Sequence, residues 1–274
     1  MRNNKNRLGQ QSQTPADAAP QSIGALSYTV PTEFVELPSR GVFYPEGHPL
    51  SGQDTVEIKY MTAKEEDVLS SQALIKKGVV IERLLENLLV DKTISPKTLV
   101  VGDRNAIMVA ARISAYGSEY ETRITCPVCS TSLPFAFDLK ADEVKGGCFD
   151  EQFLSENKLL LDDDKKTFSL VLPTSQVTVE VGVLTSNQVQ DNEDNDAPVT
   201  SALSTFILSI NGDANVNTVR GFVQTMPAKD ARHLRKIYQE LAPNVDLSDV
   251  FQCNACFHSE EMEVPLNAEF FWPG

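Results

Sequence analysis

Positive charge is what this sequence lacks most. Its 24 lysines and arginines face 38 acidic residues, a formal net charge of −14. The average field of such a chain repels a phosphate backbone, so nucleic acid is not expected as a partner. The densest basic cluster is only Arg232, Arg235 and Lys236. Long apolar runs are missing too: none approaches the roughly 20 residues a membrane-spanning helix needs. The opening MRNNKNRLGQQSQTPADAAPQS has no apolar stretch of the signal-peptide kind. These absences point to a protein of the cytoplasm or of something assembled there. Cysteine is scarce, at five in 274 residues, which does not suit a secreted disulfide framework.

Signatures of catalysis are also missing. There is no glycine-rich phosphate loop, no GxSxG, no HExxH and no Rossmann turn. The neighbouring carboxylates Glu65/Glu66 and Asp162/Asp163 point apart, and read as solvated charges rather than an acid/base pair. No small-molecule substrate is indicated. A scaffold or interaction protein is.

What is present divides the chain into four stretches. Residues 1–25 are rich in Asn, Gln, Ser, Pro and Ala and read as a flexible polar tail. Residues 26–140 begin with an extended segment punctuated by Pro38, Gly41, Pro45, Gly47, Pro49 and Gly52. A half-buried strand over Val56, Ile58 and Tyr60 follows. Thr62 and Glu65 then form a capping box that opens a helix reaching about Lys77. A second helix carries Leu84, Leu85, Leu88 and Leu89 on one stripe. The third has Asp103 as its N-cap, Ile107, Met108, Ala111 and Ile113 as its packing face, and Gly117 as its stop.

Residues 141–245 read as an α/β insertion. It is irregular to 167, forms strands in TFSLVLP and QVTVEVGVL, and carries a solvated acidic loop at 191–196. An apolar helix is expected over Val199–Ile210, a turn at NGDANVN, and an amphipathic helix after Pro227 with Leu234, Ile237 and Leu241 inward. Residues 246–274 complete the chain with a C-terminal strand.

The chemistry lies in the cysteines. ITCPVCSTSLPF places Cys126 and Cys129 at the turn of a hairpin, and VFQCNACFHSEEMEVPL repeats the spacing with Cys253 and Cys256. Two thiolates on one tight turn can reach one ion at about 2.3 Å, and two such turns supply the tetrahedral sulfur set zinc prefers. The expected fold class is therefore α+β. It holds a zinc-ribbon-like β element closed by two distant CxxC knuckles, a helical N-terminal half and a helical/β insertion. Four thiolates leave no position for water, so the zinc reads as structural. A redox dithiol would need a strand–helix context, whereas these pairs sit between strands. Cys148 has no sequence partner and reads as an ordinary thiol. His258 could substitute as a ligand but is not required, and His48 and His233 stand in no constellation.

The motifs ELPSRGVFYPEGHPL and VEIKYMTAKEEDVL, the leucine-rich helix and GDRNAIMVAARISAYG resemble the baseplate hub proteins of T-even-type contractile-tailed bacteriophages. An LPSxGxxYP turn, an MTxxEED helix start and a CPxC knuckle carry the resemblance. Here they fall on Leu37, Pro38, Ser39, Gly41, Tyr44, Pro45, Met61, Thr62, Glu65, Glu66 and Asp67, then Cys126 and Cys129. The resemblance covers about residues 35–140 well and the rest more loosely. It implies a non-enzymatic role in the tail baseplate hub, other baseplate or tail proteins as partners, and no catalytic residues. Location in the virion tail baseplate, or in the host cytoplasm during assembly, is implied with it. Whether the protein stays in the particle or acts as an assembly chaperone is left open.

Two other readings stay beside it. The Pro38, Phe43, Tyr44, Pro45 segment suits either internal packing or contact with a neighbour. A zinc-ribbon nucleic-acid regulator shares the CxxC pairs, but Glu260, Glu261 and Glu263 beside Cys256 go against it.

Overall fold

The structure is a computed structural model that describes residues 30–141, 143–147, 151–190, 198–264, 266 and 268–271. The polar tail over residues 1–25, Cys148 and the acidic run at 191–196 lie outside these residues.

Strands β1 (Thr32–Glu36) and β2 (Thr55–Lys59) pair antiparallel around the glycine- and proline-rich loop. Thr62 opens α1 (Ala63–Ser70) with the expected capping box: Glu65 Oε2 accepts the Thr62 backbone N–H at 3.0 Å. Glu65 is buried in this role rather than solvated. The helix does not run through to Lys77. It breaks at Ser71, whose extended backbone separates α1 from the short α2 (Gln72–Lys76).

Helix α3 (Val80–Leu88) buries the stripe Leu84, Leu85 and Leu88, while Leu89 caps it and bridges back to Ile58. Helix α4 (Val101–Tyr116) buries Ala106, Ile107, Met108, Val109 and Ala111. So wide an apolar surface marks a helix packed on several sides. Gly117 ends it at φ 88°, a left-handed backbone open to glycine at no steric cost.

Two strands follow, β3 (Glu119–Thr125) and β4 (Ser132–Asp138), paired in register around the first CxxC. The irregular stretch expected next contains structure: β5 (Glu143–Lys145), α5 (Glu151–Asn157) and β6 (Leu160–Asp162). Strand β6 begins a four-stranded antiparallel sheet with β7 (Thr167–Val171) and β8 (Thr178–Gly182).

Helices α6 (Ser186–Gln190) and α7 (Pro198–Phe206) precede the fourth strand, β9 (Ile207–Ile210). The apolar helix expected to reach Ile210 therefore stops four residues early. Ile207 and Ile210 instead pair with Val181 and Val179 at the edge of β8, and pairing overrides the helical pattern. The NGDANVN turn is shorter than expected: Asn215 accepts the Asn217 N–H and caps α8 (Val216–Thr225). Helix α9 (Ala228–Leu241) buries Leu234, Ile237 and Leu241 as its periodicity requires.

The short β10 (Asn244–Asp246) pairs with β5. The second CxxC hairpin is formed by β11 (Ser248–Gln252) and β12 (Ser259–Glu263).

The buried apolar side chains form two clusters. One gathers residues from Val35 to Leu139 together with Val245 to Phe271, and the other gathers Leu159 to Leu241. The chain leaves the first cluster after Leu139 and returns at Val245. Phe43 packs against both, its ring 6.2 Å from that of Phe168. The Val101 N–H donates to Leu184 O at 3.0 Å, and the Ser186 N–H to Leu99 O at 2.8 Å, tying the clusters by backbone. At Gly102 the crossing is so close that a Cβ would lie 2.0 Å from the Pro243 carbonyl oxygen.

Candidate metal centre

The two CxxC hairpins meet at their tips. Cys126 Sγ lies 3.7 Å from Cys256 Sγ, and Cys129 Sγ lies 3.6 Å from Cys253 Sγ. All four sulfurs fall within 4.8 Å of one another. Sulfurs about 2.3 Å from one tetrahedral ion stand about 3.8 Å apart. The cross-hairpin pairs already hold that spacing, so the donor set and its geometry fit a metal ion.

Each knuckle is built the same way. The Cys126 N–H donates to Thr131 O at 3.0 Å and the Ser130 N–H to Cys126 O at 2.9 Å. In the second hairpin the Cys253 N–H donates to His258 O at 2.8 Å and the Phe257 N–H to Cys253 O at 2.9 Å. Ser130 and Phe257 occupy matching positions, with φ 58° and 59°. The first cysteine of each motif faces its partner's second, an arrangement of approximate two-fold symmetry. Cys126 and Cys253 are buried, Cys256 is half-buried and Cys129 is exposed. Behind the sulfurs the hairpins are joined by Phe135 against Phe251, ring centroids 5.8 Å apart. Lys145 bridges to Asp246 and Glu263.

The surroundings shift two of the thiols in opposite directions. Hydrogen bonding to the Thr131 side chain and backbone pulls Cys129 down to about 6. At Cys256 the His258 backbone bond works in the same direction, but burial and the surrounding sulfurs push the thiol up to about 12. A cation bound by all four replaces the remaining protons, which couples metal affinity to pH. An ion held by all four would have no open position for water.

The other singled-out residues gather elsewhere, at the start of α4. Pro38 and Tyr44 are buried, Phe43 is half-buried between the clusters, and Pro45 is exposed. Asp103, expected as an N-cap, lies instead in the first turn of α4 and reaches out of its own helix. It accepts the Ser39 N–H at 2.9 Å, the Ser39 hydroxyl at 2.5 Å and the Tyr44 hydroxyl at 2.7 Å. Burial raises both the Asp103 carboxyl and the Tyr44 phenol above their ordinary pKa values. The Tyr44 hydroxyl also accepts the Val100 N–H, and His48 stacks on the Tyr44 ring at 4.4 Å. Gly41 turns the loop at φ 70°, where a Cβ would lie 2.4 Å from Gln53 N. The LPSRGVFYP and GDRNA motifs are thus two halves of one tether.

The family described as T4 bacteriophage base plate protein matches residues 34–272, a span that takes in both knuckles and the tether. The chain belongs to this family. No curated protein and no solved structure matches it. As a baseplate-family protein it belongs to a class with no catalytic role. Among the described residues no helix is long and apolar enough to cross a membrane.

Sequence reasoning reached the four cysteines because their spacing is local. It missed Asp103 as a tether and Asp230 entirely. Asp230, in the first turn of α9, accepts the backbone N–H groups of Thr174 and Ser175, each at 2.8 Å. The only sequence sign of either was an aspartate near a helix start.

Proposed function

We propose that this chain is a structural or assembly component of the phage tail baseplate hub, with a structural zinc ion held by Cys126, Cys129, Cys253 and Cys256. The observation that carries the reading is the family match over 34–272 together with four sulfurs poised as one tetrahedral set. Zinc is favoured over other cations because an all-thiolate set with no open position suits it. Its partners are other baseplate or tail proteins, met in the host cytoplasm during assembly. The acidic flanks of the second knuckle speak against a nucleic-acid regulator.

Quantitative mass spectrometry of purified particles beside the infected lysate tests the role. A fixed small copy number per particle is expected of a built-in component. Abundance in the lysate with none in particles identifies an assembly chaperone. Presence in neither overturns the baseplate reading.

A further inference from the structure

The four sulfurs admit a second way of holding the two hairpins together. Cys129 Sγ stands 3.6 Å from Cys253 Sγ, and Cys126 Sγ 3.7 Å from Cys256 Sγ, so both close pairs run from one hairpin to the other. Bonded sulfurs lie about 2.05 Å apart, so roughly 1.5 Å of approach separates either pair from a disulfide. The spacing that suits a shared ion also suits a bond.

Access to the four is unequal. Cys253 is fully buried, Cys126 is 1% exposed and Cys256 is half-buried. Cys129 is exposed, and so are Pro127, Val128 and Ser130 around it on the turn. A reagent in solution therefore meets Cys129 first. A thiolate that ligates a cation is already deprotonated, which is the form of sulfur that attacks an oxidant. The nearest sulfur behind it, on the opposite hairpin, is that of the sheltered Cys253.

We infer that Cys129 is an oxidative modification site for peroxides, with Cys253 as its resolving thiol. The Cys129 sulfur attacks hydrogen peroxide: an S–O bond forms, the O–O bond breaks and hydroxide leaves, giving the sulfenic acid. Cys253 then attacks that sulfur, forming the S–S bond and expelling the second hydroxide. Two thiolates are oxidised to one disulfide, and the peroxide is reduced to two hydroxides. Only Cys126 and Cys256 remain as thiolates, too few to keep an ion held by four. The contact between the hairpins survives, because the new bond joins residues 124 apart in the chain. Closing so long a loop removes much of the disorder of the unfolded chain. One contact is thus held by metal in a reducing compartment and by a covalent bond in an oxidising one.

The inference rests on the zinc clamp proposed above, and zinc content before any oxidant tests that clamp by itself. Purified parent protein is treated with hydrogen peroxide in the presence of a colorimetric zinc indicator, then digested with trypsin without reductant. One equivalent of zinc should be released per chain. Peptide 124–140, which holds Cys126 and Cys129, should be joined to peptide 237–274, which holds Cys253 and Cys256, in protein that stays monomeric. Fragmentation should place the bond at Cys129–Cys253, and dithiothreitol with zinc should reverse it. The oxidised, zinc-free monomer should melt about 5 °C or more above the reduced, chelated protein.

Two variants locate the point of entry, each keeping a zinc-ligating side chain. Cys129→His should slow zinc release about tenfold or more, whereas Cys256→His should release zinc at about the parent rate. Disulfides confined within each hairpin, a bond between two copies of the chain, or sulfinic acid without a disulfide each overturn the inference. So does equal slowing by the two variants. Parent protein that holds no zinc at the outset overturns the clamp instead, and the peptide linkage still decides the oxidation.

Discussion

Asp103 and Asp230 perform the same task with opposite electrostatics. Each lies in the first turn of a helix, where the backbone dipole favours negative charge, and each reaches out to hold a loop distant in sequence. At Asp230 burial opposes ionisation, but the two backbone N–H groups outweigh it and hold the carboxyl below its usual range. An unfolded aspartate titrates near ~3.9. The stability linked to Asp230 is therefore complete above about pH 4 and is lost as pH falls through the lower folded value. In thermal melts the parent should lose melting temperature more steeply below about pH 4 than Asp230→Asn does. Equal slopes would show that the carboxylate contributes nothing. Asp103, raised by burial, has the reverse signature: its contribution is lost as pH rises through its folded value.

Among elements, the loop between β1 and β2 shows how an irregular segment becomes fixed. Turns within it are closed by backbone bonds such as Arg40 N–H to Leu37 O and Gly52 N–H to Gly41 O, and the Asp103 tether and Tyr44 packed under His48 anchor it to the rest of the fold. Asp103→Ala would leave the Ser39 N–H and the Tyr44 hydroxyl without their acceptor in a buried place. A loss of about 3 kcal/mol is expected, read from denaturant unfolding, and the loop should become the first point of proteolysis. A variant as stable as the parent would mean that the loop is held by packing alone.

Elements governed by local rules were legible in the sequence. These include the Thr62 capping box, the stripes of α3 and α9, the Gly117 stop and both knuckle hairpins. Elements governed by tertiary pairing were not: Ile207–Ile210 reads as helix until β8 offers its edge, and α8 starts within the last two residues of an apparent turn and runs on through a stretch given no element. The cysteine set was readable because two residues of spacing carry it. Tyr44, by contrast, looks from its neighbours equally suited to the surface, and only the distant Asp103 decides that it is buried.

For the whole molecule, the decisive feature is that the first buried cluster is assembled from both ends of the described chain and pinned where Cys126 and Cys129 meet Cys253 and Cys256. The two knuckles have the same geometry, so removing either should have the same effect. Cys126→Ser and Cys253→Ser should each abolish stoichiometric zinc and lower the melting temperature alike, and a strong chelator should reproduce the effect in the parent. Parent protein without zinc, with both variants melting as it does, would refute the metal centre. The same feature sets a schedule for synthesis. At roughly 5–20 residues per second, on the order of ten seconds separates the emergence of the first knuckle from that of the second. Throughout that interval the nascent chain carries half a chelating site and an uncovered apolar helix α4, while the four-stranded sheet and its helices can already close. The N-terminal half must wait for its foundation, which is complete only once Cys253 and Cys256 have emerged.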